Sequence, residues 1–517
     1  MLRQSRRGTT VLWGALAGLL AAAGGVGASM LLAALLGGTS SAYALGDRVI
    51  QFTPGWLKDF AVEKLGEKDK LVLLISVFAV VAILSALVGV LATRRLVPAL
   101  VITGVLNLVA LASAIFTSLG VEITVASVVP GLVATVVSVA LLWLLGRSWR
   151  RTGGSGASAP AGFDRRVFLG AALASGGVAV VGGGASQFFG KAGEASRADV
   201  TLPAATTKAK PIPRGTALDI KGITPYMTPN STFYRVDTAL QVPQLDADTW
   251  RLRIHGMVDN ELQLSFRDLL DMDLVEDRIT LTCVSNQVGG QYAGNATWLG
   301  VPMKQILERV GVRSGSDAMV STSADDMTIT TPVKALTDDR NALLAVGMNG
   351  QPLPLEHGFP VRMVVPGLYG FVSATKWVTD MELTTFSDAS TYWTKRGWKD
   401  QAPIKTFSRI DTPAAFSQVS GEVPIAGVAW AQERGIEKVE LKIGDADWVE
   451  ADLATEDSID NWRQWVYRWK PAETGQSGNV SVQVRATDKT GYTQTSDRVP
   501  PRPDGATGWD SRTLVVS

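Results

Sequence analysis

The stretch LTCVSNQVGGQYAGNATWLGVP, Leu281–Pro302, contains the single cysteine of this 517-residue chain, Cys283. One thiol excludes an internal disulfide, a Cys-X-X-Cys redox pair, a four-cysteine zinc site and an iron–sulfur cluster held by this chain alone. Cys283 is therefore either a small buried hydrophobic residue or a metal ligand or nucleophile. The glycines at Gly289–Gly290 and Gly294 would let backbone amides approach a bulky anionic group. This pattern favours the second interpretation.

Further motifs lie on both sides of this stretch. They are TPNSTFYR (Thr228–Arg235), MNGQPLP (Met348–Pro354), HGFPVR (His357–Arg362), Pro366-Gly367 and Lys376-Trp377. In order and approximate spacing, these segments resemble the sulfite oxidase family of molybdopterin-dependent oxidoreductases. The resemblance extends from Pro203 to Ser387, continues more weakly towards the C-terminus, and does not include the N-terminal region.

The resemblance implies one molybdenum–molybdopterin cofactor, with the Cys283 thiolate as the protein ligand of the metal. His357 matches the histidine that contacts the pterin. Arg362 and Lys376 match the cations expected at the pterin phosphate, where Arg binds in a bidentate manner and Lys acts as a point charge. Arg235 is implied both as a cofactor contact and as a catalytic residue. The other implied cofactor contacts are Tyr234, Asn286, and the backbone amides of Ala374 and Thr375.

Four positions that would face the substrate depart from the family pattern. Val346 stands where the family has a tyrosine, and Gln287 and Val288 stand where it has arginines that hold sulfite. In the first loop, Asp237 replaces a histidine. Because a buried anion needs compensating charge, we expect sulfite to be a poor substrate and the true substrate to be less charged.

Residues 1–192 are mostly apolar, whereas the rest of the chain has the interspersed charges of a soluble protein. Apolar runs long enough to cross a bilayer as helices are Val11–Leu36, Leu71–Ala92, Val97–Leu119 and Ile123–Leu145, and a weaker fifth is Val167–Phe189. We therefore predict about five transmembrane helices. Their expected role is to anchor the chain, with a proton or quinone path as the alternative.

The positions of the arginines predict the orientation of these helices. Clusters lie before the first span, between the second and third, and after the fourth: Arg3, Arg6, Arg7, Arg94, Arg95, Arg147, Arg150 and Arg151. All lie on one side of the membrane if the N-terminus is cytoplasmic. A fifth span then places the rest of the chain outside the cytoplasm. It opens with Arg165-Arg166, followed by Phe168-Leu169, which resembles a twin-arginine export signal for folded cargo.

We predict four regions along the chain: a membrane anchor at 1–192, a tether at 193–213, a molybdopterin-binding oxidoreductase domain at 214–400, and a β-sandwich at 405–517. Mixed short strands and helices predict an α+β fold for the third. Alternating strands and turn residues in the fourth predict an immunoglobulin-like sandwich, of a kind that often makes a homodimer contact in the resembled family. We expect tryptophans in its core, namely Trp430, Trp448, Trp462, Trp465 and Trp469.

The net charge of +1 gives no reason to expect a nucleic acid partner. The chain has two histidines, His255 and His357, and both lie beyond the apolar region. The helices therefore cannot hold a bis-histidine haem. Electrons would have to pass to or from a separate carrier, such as a cytochrome or a quinone-linked protein.

Three functions remain open. The first is a membrane-anchored, extracytoplasmic molybdopterin oxidoreductase that transfers an oxygen atom to or from a small molecule. The second is a reductase of methionine sulfoxide or another sulfoxide, since Tyr369-Gly370-Phe371 resembles a loop of the bacterial enzymes of that kind. The third is a non-catalytic envelope protein that uses the same fold for binding. Molybdenum content separates the third from the first two.

Replacing Arg165 and Arg166 together by lysine should keep the catalytic domain on the cytoplasmic side. Export machinery that reads paired arginines tolerates lysine poorly, whereas membrane orientation by positive charge hardly distinguishes the two residues. The measurement is protease accessibility of residues 405–517 in spheroplasts. If that region stays accessible in the double variant, the twin-arginine interpretation is wrong and only an anchor remains.

Overall fold

The structure, a computed structural model, describes residues 2–36, 40–53, 69–116, 125–150, 165–189, 192–237, 239 and 241–517. The chain divides into two compact units. The first comprises Met1–Ala195 with Thr238–Gln244, and the second comprises Ser196–Asp237 with Leu245–Ser517.

The first unit is built from helices α1 (Leu2–Leu36), α2 (Ser41–Phe52), α3 (Asp69–Arg94), α4 (Leu96–Phe116), α5 (Val125–Arg150) and α6 (Arg165–Phe189). Among the described residues, four helices are long and apolar enough to cross a membrane, and they overlap the first four predicted spans: Val11–Leu36, Val72–Arg94, Leu96–Ile115 and Ser127–Arg147. The end of the third predicted span, 117–119, and the start of the fourth, 123–124, lie outside the described residues. In α6 the corresponding apolar stretch is shorter, Leu169–Val181. Helix α2 lies in a connection for which the sequence predicted no helix.

Small residues allow the helices of this unit to approach each other closely. A Cβ atom added to Gly18 of α1 would lie 1.8 Å from the Ser85 carbonyl oxygen of α3. One added to Gly89 of α3 would lie 2.1 Å from the Gly14 carbonyl oxygen. Close backbone contact through glycine is the usual way in which apolar helices associate, because in lipid they gain little from burying more apolar surface.

The second unit begins within α7 (Ala192–Asp199). The sequence predicted a tether here, over residues 193–213, but part of that stretch is ordered by polar contacts. Arg197 donates from Nε to the Leu353 carbonyl oxygen at 2.8 Å and from Nη2 to the Pro352 carbonyl oxygen at 2.8 Å. Thr207 then forms a parallel bridge with Val275. Sequence analysis did not predict these contacts of Arg197, because an arginine in a polar stretch is not part of a periodic hydrophobic pattern.

The part of this unit that carries the motifs is α+β, as predicted. Its strands are β1 (Arg251–Gly256), β2 (Leu262–Ser265), β3 (Val275–Thr282), β4 (Ala293–Pro302), β5 (Ala318–Ser323), β6 (Thr328–Pro332), β7 (Leu343–Met348), β8 (Gln351–Pro352), β9 (Arg362–Val364) and β10 (Val378–Thr384). Its helices are α8 (Phe266–Leu270), α9 (Met303–Val310) and α10 (Val333–Thr337). One five-stranded sheet has the order β2-β1-β10-β5-β6, and the other has the order β3-β4-β7-β8 with β9 paired to β7.

The C-terminal part contains two facing sheets. The strands are β11 (Phe407–Thr412), β12 (Gln418–Val419), β13 (Val423–Trp430), β14 (Ile436–Ile443), β15 (Val449–Glu450), β16 (Asp452–Leu453), β17 (Arg463–Trp469), β18 (Gly478–Asp488) and β19 (Asp510–Val516), with α11 at Pro471–Thr474. The sheet orders are β11-β13-β17-β16 and β12-β19-β18-β14-β15. Trp465 and Trp469 of the first sheet share one apolar core with Val439 and Leu514 of the second. Trp430 and Trp462 are also buried, as predicted, whereas Trp448 is half-buried.

Residues of this sandwich close the free edge of β3, the strand that leads to Cys283. β3 pairs only with β4 within its sheet. On its other side the Thr280 amide donates to the Asp460 carbonyl oxygen at 3.0 Å, and Gln432 Nε2 donates to the Thr280 carbonyl oxygen at 2.6 Å. Asn461 Nδ2 donates to the Arg278 carbonyl oxygen at 2.7 Å. The edge is therefore held in place by side chains and backbone from 432–461.

Replacing Gln432 by methionine should lower the free energy of unfolding of the second unit by about 1–3 kcal/mol, because the buried Thr280 carbonyl loses its partner. Methionine keeps a similar length and leaves the core filled. The measurement is urea unfolding of the detergent-solubilised protein, followed by tryptophan fluorescence. Gln418→Met, at an exposed position, is the matched control. Equal stability of the two variants would contradict the role assigned to Gln432.

Candidate functional site

Cys283 follows β3 directly and begins the loop to β4. Its amide donates to the Tyr292 carbonyl oxygen at 2.9 Å, and its sulfur accepts from the Ser285 amide at 3.4 Å. The side chain is buried, and burial raises the pKa of the thiol, while hydrogen bonds from Ser285 and the charge of Lys376 lower it. Without a metal the thiol stays protonated at neutral pH, so a metal that binds here must displace its proton.

Asn286 shapes the same loop. Its amide donates to the Cys283 carbonyl oxygen at 3.0 Å, and its Oδ1 accepts from the Tyr292 amide at 2.8 Å. A Cβ atom at Gly290 would lie 2.6 Å from Asn286 Oδ1, which explains why glycine occupies that position. Asn286 Nδ2 is buried and has no hydrogen-bond partner among the described residues. Such a donor costs free energy unless a ligand accepts its hydrogen bond.

His357 ends a short 3-10 helix, Leu355–His357, and faces the first loop. Its Nε2 lies 3.0 Å from the Asn230 carbonyl oxygen, and its ring contacts Phe233 edge to face at 5.5 Å. Burial lowers the pKa of His357 to about 4, helped by the charge of Arg362. The imidazole is therefore neutral. Because the partner is a carbonyl oxygen, we assign the proton to Nε2, which leaves Nδ1 as an acceptor for a ligand.

Arg362, in β9, is a buried cation. Its guanidinium donates to carbonyl oxygens of His357 at 3.0 Å, Met363 at 3.3 Å and Ala374 at 3.5 Å, and it lies 5.1 Å from the centre of the Trp298 ring. Burial lowers the pKa of Arg362 to about 10, so it remains charged at neutral pH. Among the described residues no carboxylate pairs with it. A buried cation without a counter-ion is costly, and an anionic ligand would compensate its charge.

Lys376 and Arg235 are held differently, since both contact the carboxylate of Asp237. Lys376 Nζ and Arg235 Nε each donate to Asp237 Oδ2 at 2.8 Å. Lys376 Nζ also donates to the Glu356 carbonyl oxygen at 3.0 Å. Burial lowers the pKa of Lys376 to about 8, and the carboxylate of Asp237 acts in the opposite direction. The role of Lys376 as a phosphate contact stays a prediction; in the structure its ammonium is held by Asp237 and the Glu356 carbonyl oxygen.

The remaining predicted contacts lie around the same centre. Tyr234 is half-buried and stacks on Phe233 at 5.2 Å; burial and the nearby Cys283 sulfur raise the pKa of its hydroxyl. The Ala374 amide already donates to the Gly370 carbonyl oxygen at 2.9 Å, so Ala374 serves the site through the carbonyl that receives Arg362. The Thr375 hydroxyl bonds Ser321 Oγ at 2.6 Å. The amide contacts to the cofactor predicted for Ala374 and Thr375 stay predictions.

The structure thus brings residues from four separate motifs to one place. Sequence reasoning did not assign a role to Trp298, whose ring lies under the Arg362 guanidinium. It marked Asp237 as a departure from the family pattern but did not predict its ion pairs with Lys376 and Arg235. Of the positions expected near the substrate, Gln287 is exposed, Val288 is half-buried and Val346 is fully buried in β7.

These residues fit a molybdopterin cofactor. Cys283 offers one sulfur ligand, Arg362 an uncompensated positive charge for the phosphate, and Asn286 Nδ2 a free donor. Gly294 lets the Phe233 ring, which borders His357, pack closely against the ligand loop, because a Cβ atom there would lie 2.6 Å from that ring. When bound, the cofactor supplies a metal that can exchange two electrons.

Comparison with known proteins agrees with this assignment. The model of the oxidoreductase molybdopterin binding domain matches residues 239–393. The uncharacterized oxidoreductase YuiH of Bacillus subtilis is 31% identical over 153 residues, which cover 30% of this chain and 74% of that protein. The chain belongs to the sulfite oxidase family of molybdopterin-dependent oxidoreductases.

Other members of the family are longer than the matched region. Mitochondrial sulfite oxidase of Macaca fascicularis is 30% identical over 325 residues, which cover 53% of this chain and 58% of that protein. The chain therefore spans little more than half the length of the first curated relatives that it matches. Among solved structures, the sulfane dehydrogenase SoxCD from Paracoccus pantotrophus has a TM-score of 0.49 and 21% identity, over 57% of this chain and 82% of that chain.

Replacing Arg362 by alanine should weaken retention of the cofactor about tenfold to a hundredfold, the value of one charge-assisted hydrogen bond to a phosphate. The measurement is molybdenum and oxidised pterin per polypeptide after purification. Arg267→Ala, at an exposed position of α8, is the control and should retain full occupancy. Full pterin content in the Arg362 variant would show that another residue binds the phosphate.

Proposed function

We propose that this protein is a membrane-anchored molybdopterin oxidoreductase that catalyses two-electron oxygen-atom transfer on a small molecule outside the cytoplasm. The observations that carry the proposal are a buried thiol, Cys283, and a buried cation, Arg362, that has no carboxylate partner among the described residues; both lie close enough to Tyr234 to affect the pKa of its hydroxyl. A purely structural cysteine would not require an uncompensated charge nearby, since a buried charge is costly until an anion pairs with it. A cofactor that contains a metal and a phosphate would bind to both residues, with the metal on the thiol and the phosphate on the cation.

The proposed location outside the cytoplasm is supported by the apolar helices and by the arginines of the sequence. In the part of the chain that the structure describes, four helices are long and apolar enough to cross a membrane. The arginine clusters lie on one side if the N-terminus is cytoplasmic. A fifth crossing by α6, which begins at Arg165, would carry the catalytic domain to the other side. We also propose residues 214–400 as the cofactor domain and 405–517 as an immunoglobulin-like domain suited to forming a homodimer.

A separate electron carrier, such as a cytochrome or a quinone-linked protein, is part of this proposal. Of the two histidines in the chain, His357 lies beside Arg362 and His255 Nε2 contacts the Asp380 carboxylate at 3.0 Å. Neither is placed in the helices, where a membrane haem would need such ligands. We therefore propose that the electrons of the reaction leave or arrive through another protein or a lipid-soluble molecule.

A second candidate is the reduction of a sulfoxide, including methionine sulfoxide. It is favoured by the uncharged side chains of Gln287 and Val288, which would leave a sulfite anion poorly compensated. The direction of turnover separates the two candidates. A reduced dye, as the electron donor, would drive the reduction of a sulfoxide. An oxidised dye, as the electron acceptor, would allow the oxidation of a reduced substrate such as sulfite, for which we expect poor turnover.

The experiment that tests the proposal is metal and pterin analysis of the protein purified from its own membrane. One molybdenum and one pterin per chain are expected. Protein that is folded and lacks both, when produced in cells that make the cofactor, would contradict the enzymatic proposal and favour a non-catalytic binding protein.

Cys283→Ser should abolish turnover while the domain stays folded and retains much of its pterin. A hydroxyl is a poorer and harder ligand than a thiolate, whereas Arg362 and the other contacts remain. The measurements are turnover with redox dyes, the electronic spectrum of the metal, and circular dichroism as the check on folding. An unchanged metal spectrum would exclude Cys283 as the ligand.

A further inference from the structure

The ligand loop, residues 283–292 between β3 and β4, contacts two charged side chains of the sandwich through its glycine pair. The Gly290 carbonyl oxygen accepts from Arg409 Nη1 at 2.7 Å. Gly289 has a φ of 74°, and a Cβ atom added to it would lie 2.5 Å from Asp510 Oδ1. Asp510 Oδ2 accepts from the Ile410 amide at 2.9 Å, which fixes this carboxylate beside Arg409. The glycine pair therefore lets the sandwich pack directly on the ligand loop.

Arg409 of β11 is a buried cation with three different partners. Its side chain is 2% exposed, and its Nε donates to Asp411 Oδ1 at 2.8 Å. Its Nη2 donates to Thr224 Oγ1 at 2.9 Å, and Asp411 Oδ2 accepts from the Thr224 amide at 3.0 Å. Thr224 lies four residues before Thr228, where the first motif begins. One guanidinium therefore contacts both the ligand loop and the segment that leads into the first motif.

Two consecutive turns connect Gly290 to Cys283. The Gly290 amide donates to the Gln287 carbonyl oxygen at 2.8 Å, which closes the second turn. The Asn286 amide donates to the Cys283 carbonyl oxygen at 3.0 Å, which closes the first turn. Within the first turn the Ser285 amide donates to the sulfur at 3.4 Å. No residue separates the two turns, so a displacement of Gly290 would also displace the groups that hold the sulfur.

The chemistry of arginine suits this arrangement. A guanidinium has donors in a fixed planar fork, whereas a lysine ammonium is a single point charge. Three nitrogens of Arg409 donate to three different segments, which a lysine could not do in this geometry. A buried ion pair often stabilises a protein no more than apolar residues of the same volume would. The pair of Arg409 with Asp411 is therefore better explained by the geometry that it imposes.

We propose that Arg409 is a positioning residue for the cofactor site: its guanidinium fixes the ligand loop relative to the first motif and thereby places the Cys283 sulfur. Arg409 acts through the Gly290 carbonyl oxygen and not on the reacting atoms. This inference rests on the proposed function, in which the sulfur binds the metal, and adds to it a residue of the sandwich that controls where the sulfur lies.

The test is the rate at which N-ethylmaleimide alkylates Cys283 in folded, full-length protein made in cells that cannot produce the cofactor. Cys283 is the only thiol of the chain, so the label reports on one position. Because the side chain is buried, the reagent reaches it only when the loop opens. Arg409→Met should raise the rate about tenfold to a hundredfold, the range for one charge-assisted hydrogen bond.

Two further variants complete the test. Arg434→Met is the matched control, because Arg434 also pairs with a buried aspartate of the sandwich, Asp488, at 2.9 Å. Among the described residues its hydrogen bonds reach none of the ligand loop, so the labelling rate should stay at the wild-type value. Combining Arg409→Met with Asp411→Asn leaves no uncompensated buried charge and should give the same gain as Arg409→Met. This double variant replaces Arg409→Met if the latter does not fold.

The dependence of the labelling rate on urea separates positioning from a general loss of stability. Opening of one loop exposes little surface, so its rate hardly changes at low urea, whereas labelling through global unfolding rises steeply. A gain in Arg409→Met that is flat at low urea supports the proposal. An unchanged rate, an equal gain in Arg434→Met, or a gain that follows global unfolding would overturn it.

The outcomes also separate this inference from the proposed function. Labelling of protein without cofactor does not depend on the metal. In molybdenum-loaded protein, a bond between the thiolate and the metal should protect Cys283 from alkylation. Equal rates in loaded and empty wild-type protein would contradict the proposed ligand and leave the result for Arg409 intact. Protection by the metal, together with an unchanged rate in empty Arg409→Met protein, would do the reverse.

Discussion

Hydrogen bonds across the free edge of β3 are the constraint on which the site depends. An edge strand leaves a row of N–H and C=O groups unpaired, and these groups must find other partners when they are buried. Here the partners are the Asp460 carbonyl, Gln432 and Asn461, all from the sandwich. Cys283 is the residue that follows this strand. The sandwich therefore contributes to the position of the sulfur although it supplies no residue to the site.

Arg278 ties the same strand to the sandwich through a buried ion pair with Asp457, which also accepts from the Tyr226 hydroxyl at 2.8 Å. The ligand loop has a similar tie, because Arg409 donates to the Gly290 carbonyl oxygen at 2.7 Å. Buried ion pairs with several hydrogen bonds favour one geometry strongly, since breaking either partner leaves a charge uncompensated. The two parts thus act as one rigid frame around Cys283.

Within this frame the buried cations are satisfied in two ways. Arg362 has only carbonyl oxygens as partners among the described residues, whereas Lys376 has a carboxylate. Arg362 therefore lacks the carboxylate partner that Lys376 shares with Arg235, and an anionic ligand would compensate its charge.

Much of this organisation follows from the sequence. The apolar helices are evident because they are apolar on every face, and strands such as β1 are evident from alternation. Cys283, Asn286, His357 and Arg362 stand in motifs whose glycines and prolines mark close approach to a ligand. Sequence analysis did not predict the helices α7 and α2, because short helices stabilised by tertiary contacts have little hydrophobic periodicity in their sequence.

The sequence by itself determined which residues could hold a cofactor and which part of the chain is apolar enough for a membrane. Only the tertiary structure determined which charged side chains pair with each other. Asp237 and Lys376 are far apart in the chain but 2.8 Å apart in space, and the Ala374 carbonyl oxygen accepts from Arg362 at 3.5 Å. Such pairings depend on distances between separate loops, and local propensity and spacing along the chain do not encode those distances.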